Sequence, residues 1–141
     1  MTAKSWIALS PVLILTDLYC VMAQAQSAPA APVAPSSELR AAYQASFQET
    51  LRKPSDPASL IAFAEVAIKT GDLEGAISAL DRLLLIDGDQ PEVKLELGVL
   101  YFRLGSFEAA RTYLADVRFS QRASPVLKAR AEEFMKAAKR P

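Results

Sequence analysis

Residues 97–114 read LGVLYFRLGSFEAARTYL, and this stretch decides the fold because it matches an earlier one. Residues 63–80, FAEVAIKTGDLEGAISAL, lie 34 positions before it and carry small, large apolar and glycine residues at the same places. Gly71 and Gly105 stand where a helix is expected to stop. A period of this length predicts a helix–turn–helix unit stacked on a copy of itself.

The matched positions also suggest how the helices of one unit pack. Ala64 corresponds to Gly98, and a small residue there lets two helices approach closely. Leu73 corresponds to Phe107, and a large apolar residue there fills the space at the turn. Outside the two units, apolar residues at helical spacing predict one further helix on each side, over 37–52 and 125–139.

The second unit resembles the tetratricopeptide repeat, whose pattern it carries at Leu97, Gly98, Tyr101, Gly105, Phe107, Ala110 and Leu114. The sequence departs from the family at its tryptophan, replaced by Leu60 and Lys94, and at its closing proline, replaced by Gly88 and Arg122. The resemblance implies an all-α fold, a short superhelix of two repeats at 57–90 and 91–124. With a flanking helix at the N-terminal side and a capping helix at 125–139, the helical domain spans 37–140.

The first 36 residues differ in composition from the rest of the chain. Residues 1–25 have the pattern of a secretory signal peptide, with Lys4 before an apolar stretch and Ala23-Gln24-Ala25 at its end. We expect cleavage after Ala25, which makes the protein periplasmic or secreted, and residues 26–36 form an Ala/Pro-rich linker. The alternative is an uncleaved anchor, in which case this segment is the only membrane contact. The apolar run is short for a membrane span, and Asp17 interrupts it.

Composition excludes several classes of function. The chain has no histidine and one cysteine, so it lacks histidine-dependent catalytic groups, imidazole metal ligands and cysteine-rich zinc sites. Its 16 basic and 16 acidic residues balance, which is not typical of a nucleic-acid-binding protein. The sequence therefore predicts no enzyme activity, no cofactor, no metal site and no nucleic-acid partner.

The resemblance to tetratricopeptide repeats implies a concave groove, lined by the first helix of each repeat, that binds a protein or peptide. The positions carried over to this sequence are Ala58, Ile61, Glu65, Ile68, Lys69, Glu92, Leu95, Val99, Phe102 and Arg103. Two interpretations stay open. The groove is either an exposed apolar surface for a partner, or it is covered by the first helix through Tyr43 and Phe47.

Two cations of this set, Lys69 and Arg103, occupy equivalent places in the two repeats. They either clamp a carboxylate of the partner or complement the dipole at the end of their helices.

These patterns lead to two functional hypotheses. The first is an exported, non-catalytic interaction module that serves as a scaffold or adaptor in the bacterial envelope. The second starts from residues 95–105, LELGVLYFRLG, which resemble repeat segments that precede outer-membrane barrels. On that view the chain is a stand-alone or truncated N-terminal periplasmic domain of a transport or assembly barrel. Self-association is a further option, because most charged residues in 54–97 are acidic and most charged residues in 118–141 are basic, so two copies could attract each other.

Overall fold

The computed structural model describes residues 35–139, which form six α-helices and no strand. The helices are α1 (Ser37–Arg52), α2 (Pro57–Thr70), α3 (Leu73–Ile86), α4 (Pro91–Arg103), α5 (Phe107–Phe119) and α6 (Pro125–Ala137). The predicted all-α fold is confirmed, with α2–α3 and α4–α5 as the two repeat pairs. The predicted signal peptide, and the linker up to Ala34, lie outside the described residues.

The helix boundaries follow from capping residues. Asp56 accepts a hydrogen bond from the Ser59 backbone N–H at 2.9 Å, and Asp72 accepts one from the Gly75 N–H at the same distance. The hydroxyl and the backbone N–H of Ser59 both donate to Asp56, and they lower the pKa of its carboxyl group. Gly71 has a φ of 86°, a left-handed conformation that glycine adopts without a steric penalty, and it ends α2.

Three helices each begin with a proline at the position of the first helix of a repeat. Pro57, Pro91 and Pro125 begin α2, α4 and α6 and lie 34 residues apart. Helix α6 therefore continues the periodicity as the first helix of a third unit. It ends at Ala137, slightly before the predicted residue 139, within the usual fraying of a helix terminus.

Successive helices pack against each other along the whole series, and α6 also packs against α4. The core has two clusters. The first contains the fully buried Leu60, Leu83, Leu97 and Leu100, and the second contains Leu95, Leu114 and Val117. Tyr101 packs against both clusters, so the core is continuous from one repeat to the next.

The predicted role of a small residue on α4 is visible at Gly98. A Cβ atom there would lie 2.7 Å from Cγ of Leu114, which is far inside van der Waals contact. Glycine thus permits α4 and α5 to approach closely, as the sequence pattern suggests.

Two tyrosines form hydrogen bonds between parts of the chain that are not adjacent in sequence. The Tyr43 hydroxyl on α1 donates to the Asp72 carboxylate at 2.6 Å, and this bond raises the pKa of Tyr43. The Tyr113 hydroxyl on α5 donates to Asp81 on α3 at 3.1 Å. Burial, together with the Asp81 charge, raises the pKa of Tyr113 to about 12. The first bond links α1 to the N-cap of α3, and the second links α3 of the first repeat to α5 of the second repeat.

No helix among residues 35–139 combines the length and the apolar character needed to cross a membrane.

Candidate functional site

A cleft of about 410 Å³ opens between α2 and α4. No Cα atom of α2 lies within 8 Å of one in α4, so these two helices leave a gap over α3. Leu80 and Leu83 of α3 are buried beneath this gap, and Ile61 of α2 is 44% exposed beside it. The cleft is lined by Ile61, Ala64, Glu65, Ile68, Leu80, Leu83, Glu92, Val93 and Glu96.

The rim of the cleft is acidic. Glu65 comes from α2, and Glu92 and Glu96 come from one face of α4, a helical turn apart. None of the ion pairs found within residues 35–139 involves these three side chains. No group of three or more acidic, histidine or cysteine side chains in that part of the chain is placed to hold a metal ion. The cleft therefore combines an apolar interior with carboxylates that have no cationic partner among the described residues.

The equivalent face of the second repeat is closed. Leu95 is only 3% exposed and belongs to the second core cluster, together with residues of α5 and α6. The ring of Phe102 packs against Phe134 of α6 at 5.7 Å between centroids, and against Phe107 at 5.5 Å. Leu95 and Phe102 thus support α6 instead of lining an open groove. A sequence argument that considers one repeat at a time misses this, because α6 is the helix that covers them.

Helix α1 packs on a face of α2 that is different from the face that lines the cleft. The rings of Tyr43 and Phe47 pack on Phe63, with centroid distances of 5.3 and 5.6 Å. Neither residue lines the cleft, and Ile61 stays exposed. Of the two interpretations left open by the sequence, coverage of the first-repeat surface by Tyr43 and Phe47 is not what the structure shows.

The predicted cations lie outside the cleft. Lys69 and Arg103 are exposed in the last turns of α2 and α4, where a positive charge complements the helix dipole. Val99 is half-buried and also does not line the cleft. The carboxylate clamp stays a prediction that no geometry here tests.

The structure brings together four of the ten predicted groove residues, namely Ile61, Glu65, Ile68 and Glu92, whereas Ala58 is exposed and does not line the cleft. Sequence reasoning misses Val93 and Glu96 as members of the same site. The one-turn spacing of Glu92 and Glu96 is a signal for an acidic site, but on sequence grounds it is more typical of a solvated helix face.

A larger hollow of about 600 Å³ lies between the α4–α5 turn and the C-terminal end of α6, around Phe107, Arg111 and Ala138. It contains none of the predicted groove residues. Arg111 there donates a hydrogen bond to the Ala138 carbonyl at 3.0 Å, which secures the end of α6. This hollow is therefore part of the contact between α5 and α6.

Comparison with known proteins supports the repeat architecture. The family model described as tetratricopeptide repeat matches residues 38–95 and 67–133. Among solved structures, the chain is similar to PcrH from Pseudomonas aeruginosa, with a TM-score of 0.54 and 17% identity. That match covers 75% of this chain and 96% of PcrH. No curated protein matched the chain. The two family matches together cover α1 to α5 and most of α6, and the chain belongs to the tetratricopeptide repeat family.

Proposed function

We propose that this protein is a non-catalytic interaction module that holds an apolar segment of a partner protein in the cleft between α2 and α4. Tetratricopeptide repeats imply protein–protein interaction. The observation that carries the site assignment is the exposure of Ile61 beside a gap that leads to the buried Leu80 and Leu83. When a partner covers apolar surface that is exposed in a folded domain, the burial of that surface favours binding.

A photo-crosslinking amino acid placed at residue 61 tests this proposal in cells. The crosslinked protein is identified, purified and titrated against the wild-type chain and the variant Ile61→Asp. We expect Ile61→Asp to weaken binding by about tenfold or more, because it puts a charge into an apolar contact.

The matched control is Leu85→Asp, since Leu85 is 87% exposed and does not line the cleft. It introduces the same charge on a similar side chain and should leave binding unchanged. If Leu85→Asp weakens binding while Ile61→Asp does not, the site lies elsewhere on the molecule. Leu95→Asp is unsuitable for this purpose, because a charge at that buried position would disturb the fold.

The proposed location is the periplasm or the extracellular space. The support is the charged start, the apolar stretch and the Ala-Gln-Ala pattern at residues 23–25. Cell fractionation, followed by N-terminal sequencing of the mature protein, tests this. A chain that begins at Gln26 agrees with export, whereas a cytosolic chain that begins at Met1 contradicts it.

A second candidate function is that of an N-terminal periplasmic domain attached to an outer-membrane barrel. It is favoured only by the resemblance of residues 95–105 to repeat segments of such proteins. The reading frame beyond Pro141 is the direct test: a barrel-coding continuation supports this candidate, and a stop codon there counts against it.

A further inference from the structure

We propose that the cleft between α2 and α4 binds a polypeptide segment in which an apolar side chain is flanked by lysine or arginine. This inference rests on the proposed function and specifies the chemistry of the partner. It combines two independent features of the cleft, its apolar interior and its carboxylate rim.

The interior of the cleft suits a few side chains of a partner segment. Ile61 and Val93 stand on opposite walls, and Leu80 and Leu83 lie beneath them. The volume of about 410 Å³ falls in the range of roughly 300–1,000 Å³ that is common for pockets that bind small ligands. An apolar residue of the partner that enters this space exchanges water for contact with four aliphatic side chains.

The rim supplies the charge preference. Glu65 and Glu92 are exposed, Glu96 is half-buried, and none of them takes part in an ion pair within residues 35–139. The nearest base in sequence to Glu92 and Glu96 is Lys94, which pairs instead with Asp116 of α5 at 3.3 Å. The whole chain has a formal net charge of zero, so the negative charge is a local property of this surface. A cationic flank on the partner complements it.

Repeat periodicity shows that these carboxylates are not needed for stacking. The residues 34 positions after Glu65, Glu92 and Glu96 are Val99, Val126 and Arg130. That later junction, between α4 and α6, closes without any carboxylate at the three places. In the α2–α4 junction, like charges on facing walls oppose closure. The acidic rim is therefore available to select what enters the cleft.

The test uses the full chain and a random peptide library displayed on phage. Peptides are selected on the wild-type protein and counter-selected on Ile61→Asn, which removes the apolar contact without adding negative charge, so that the survivors depend on the cleft. We expect an excess of lysine and arginine next to an apolar residue in these peptides. A selected peptide is then titrated against the triple variant Glu65→Gln/Glu92→Gln/Glu96→Gln, whose affinity should fall by about tenfold.

The matched control is Glu74→Gln/Glu132→Gln/Glu133→Gln, which removes the same amount of charge from exposed positions outside the cleft. Its affinity for the peptide should equal that of the wild type. Circular dichroism establishes that both triple variants are folded. Raising sodium chloride from about 50 mM to about 300 mM should weaken the wild-type complex more than that of the cleft variant.

Three results would overturn the inference in distinguishable ways. Neutral or acidic peptides that still depend on Ile61 refute the charge preference but leave the proposed function in place. Failure to select any peptide that depends on Ile61 contradicts the inference and the proposed site together. If sedimentation velocity shows a wild-type dimer that the cleft variant cannot form, the occupant is a second copy of this chain, not a basic segment of a partner.

Discussion

Helices α2, α4 and α6 are the first helices of successive units, and they form two equivalent junctions, α2–α4 and α4–α6. The first junction is an open cleft, whereas the second is closed by side-chain packing. Ile61 and Leu95 lie 34 residues apart in the two repeats, yet Ile61 is 44% exposed and Leu95 is 3% exposed. At the second junction, Phe134 of α6 packs on Phe102 and closes the surface. At the first, three carboxylates line facing walls and the helices stay apart. One sequence period can therefore build both a core contact and an open cleft, depending on which side chains the next helix presents.

The largest expected effect is the difference in stability loss between alanine substitutions at the equivalent positions 95 and 61. Leu95→Ala should lower the free energy of unfolding by about 3–4 kcal/mol, because it leaves a cavity in the second core cluster. Ile61→Ala should lower it by about 1 kcal/mol or less, since much of that side chain is already in water. Urea denaturation of both variants measures the difference. Equal losses would show that the two junctions do not differ as described.

An intermediate effect is expected when the contact that closes the second junction is removed. Phe134→Ala should lower the free energy of unfolding by about 2–3 kcal/mol, because the half-buried ring packs against Phe102. The loss should concentrate in α6, so hydrogen exchange of its amides should accelerate more than that of α2. Glu133→Ala, at an exposed neighbouring position, serves as the control. Uniform acceleration across all helices would contradict a local role for Phe134.

The smallest expected effect concerns the link between α3 and α5. Tyr113→Phe removes the hydrogen bond to Asp81 and should lower the free energy of unfolding by about 1 kcal/mol at neutral pH. In the folded protein the pKa of Tyr113 is raised to about 12, above the ordinary value of 10.0, so folding favours the neutral phenol. This stabilisation is complete below pH 10.0 and is lost as the pH rises toward 12.

Measuring stability of the wild type and Tyr113→Phe at several pH values between 9 and 12 isolates this contribution. The stability advantage of the wild type over Tyr113→Phe should shrink as the pH rises above 10.0, because the phenol ionises more readily in the unfolded chain than in the folded protein. A difference that stays constant over that range would contradict the raised pKa.

Much of the fold could be predicted from the sequence. The matching residues around Gly71 and Gly105 reveal a 34-residue period, and caps such as Asp56 and Asp72 locate helix starts because their side chains bond the first free N–H groups. The candidate site was predicted only in part. Ile61, Glu65 and Ile68 line the cleft, whereas Leu95 and Phe102 are covered by α6.

The sequence by itself determined the helices, their order and the close contact at Gly98, since these depend on periodicity, capping and residue size within about 34 positions. Only the tertiary structure decided which face of each first helix stays open. That outcome depends on how far apart α2, α4 and α6 lie after stacking, and it is set by side chains from different repeats. Glu65 on α2 and Glu96 on α4 become neighbours of one cleft only when the two repeats are placed side by side.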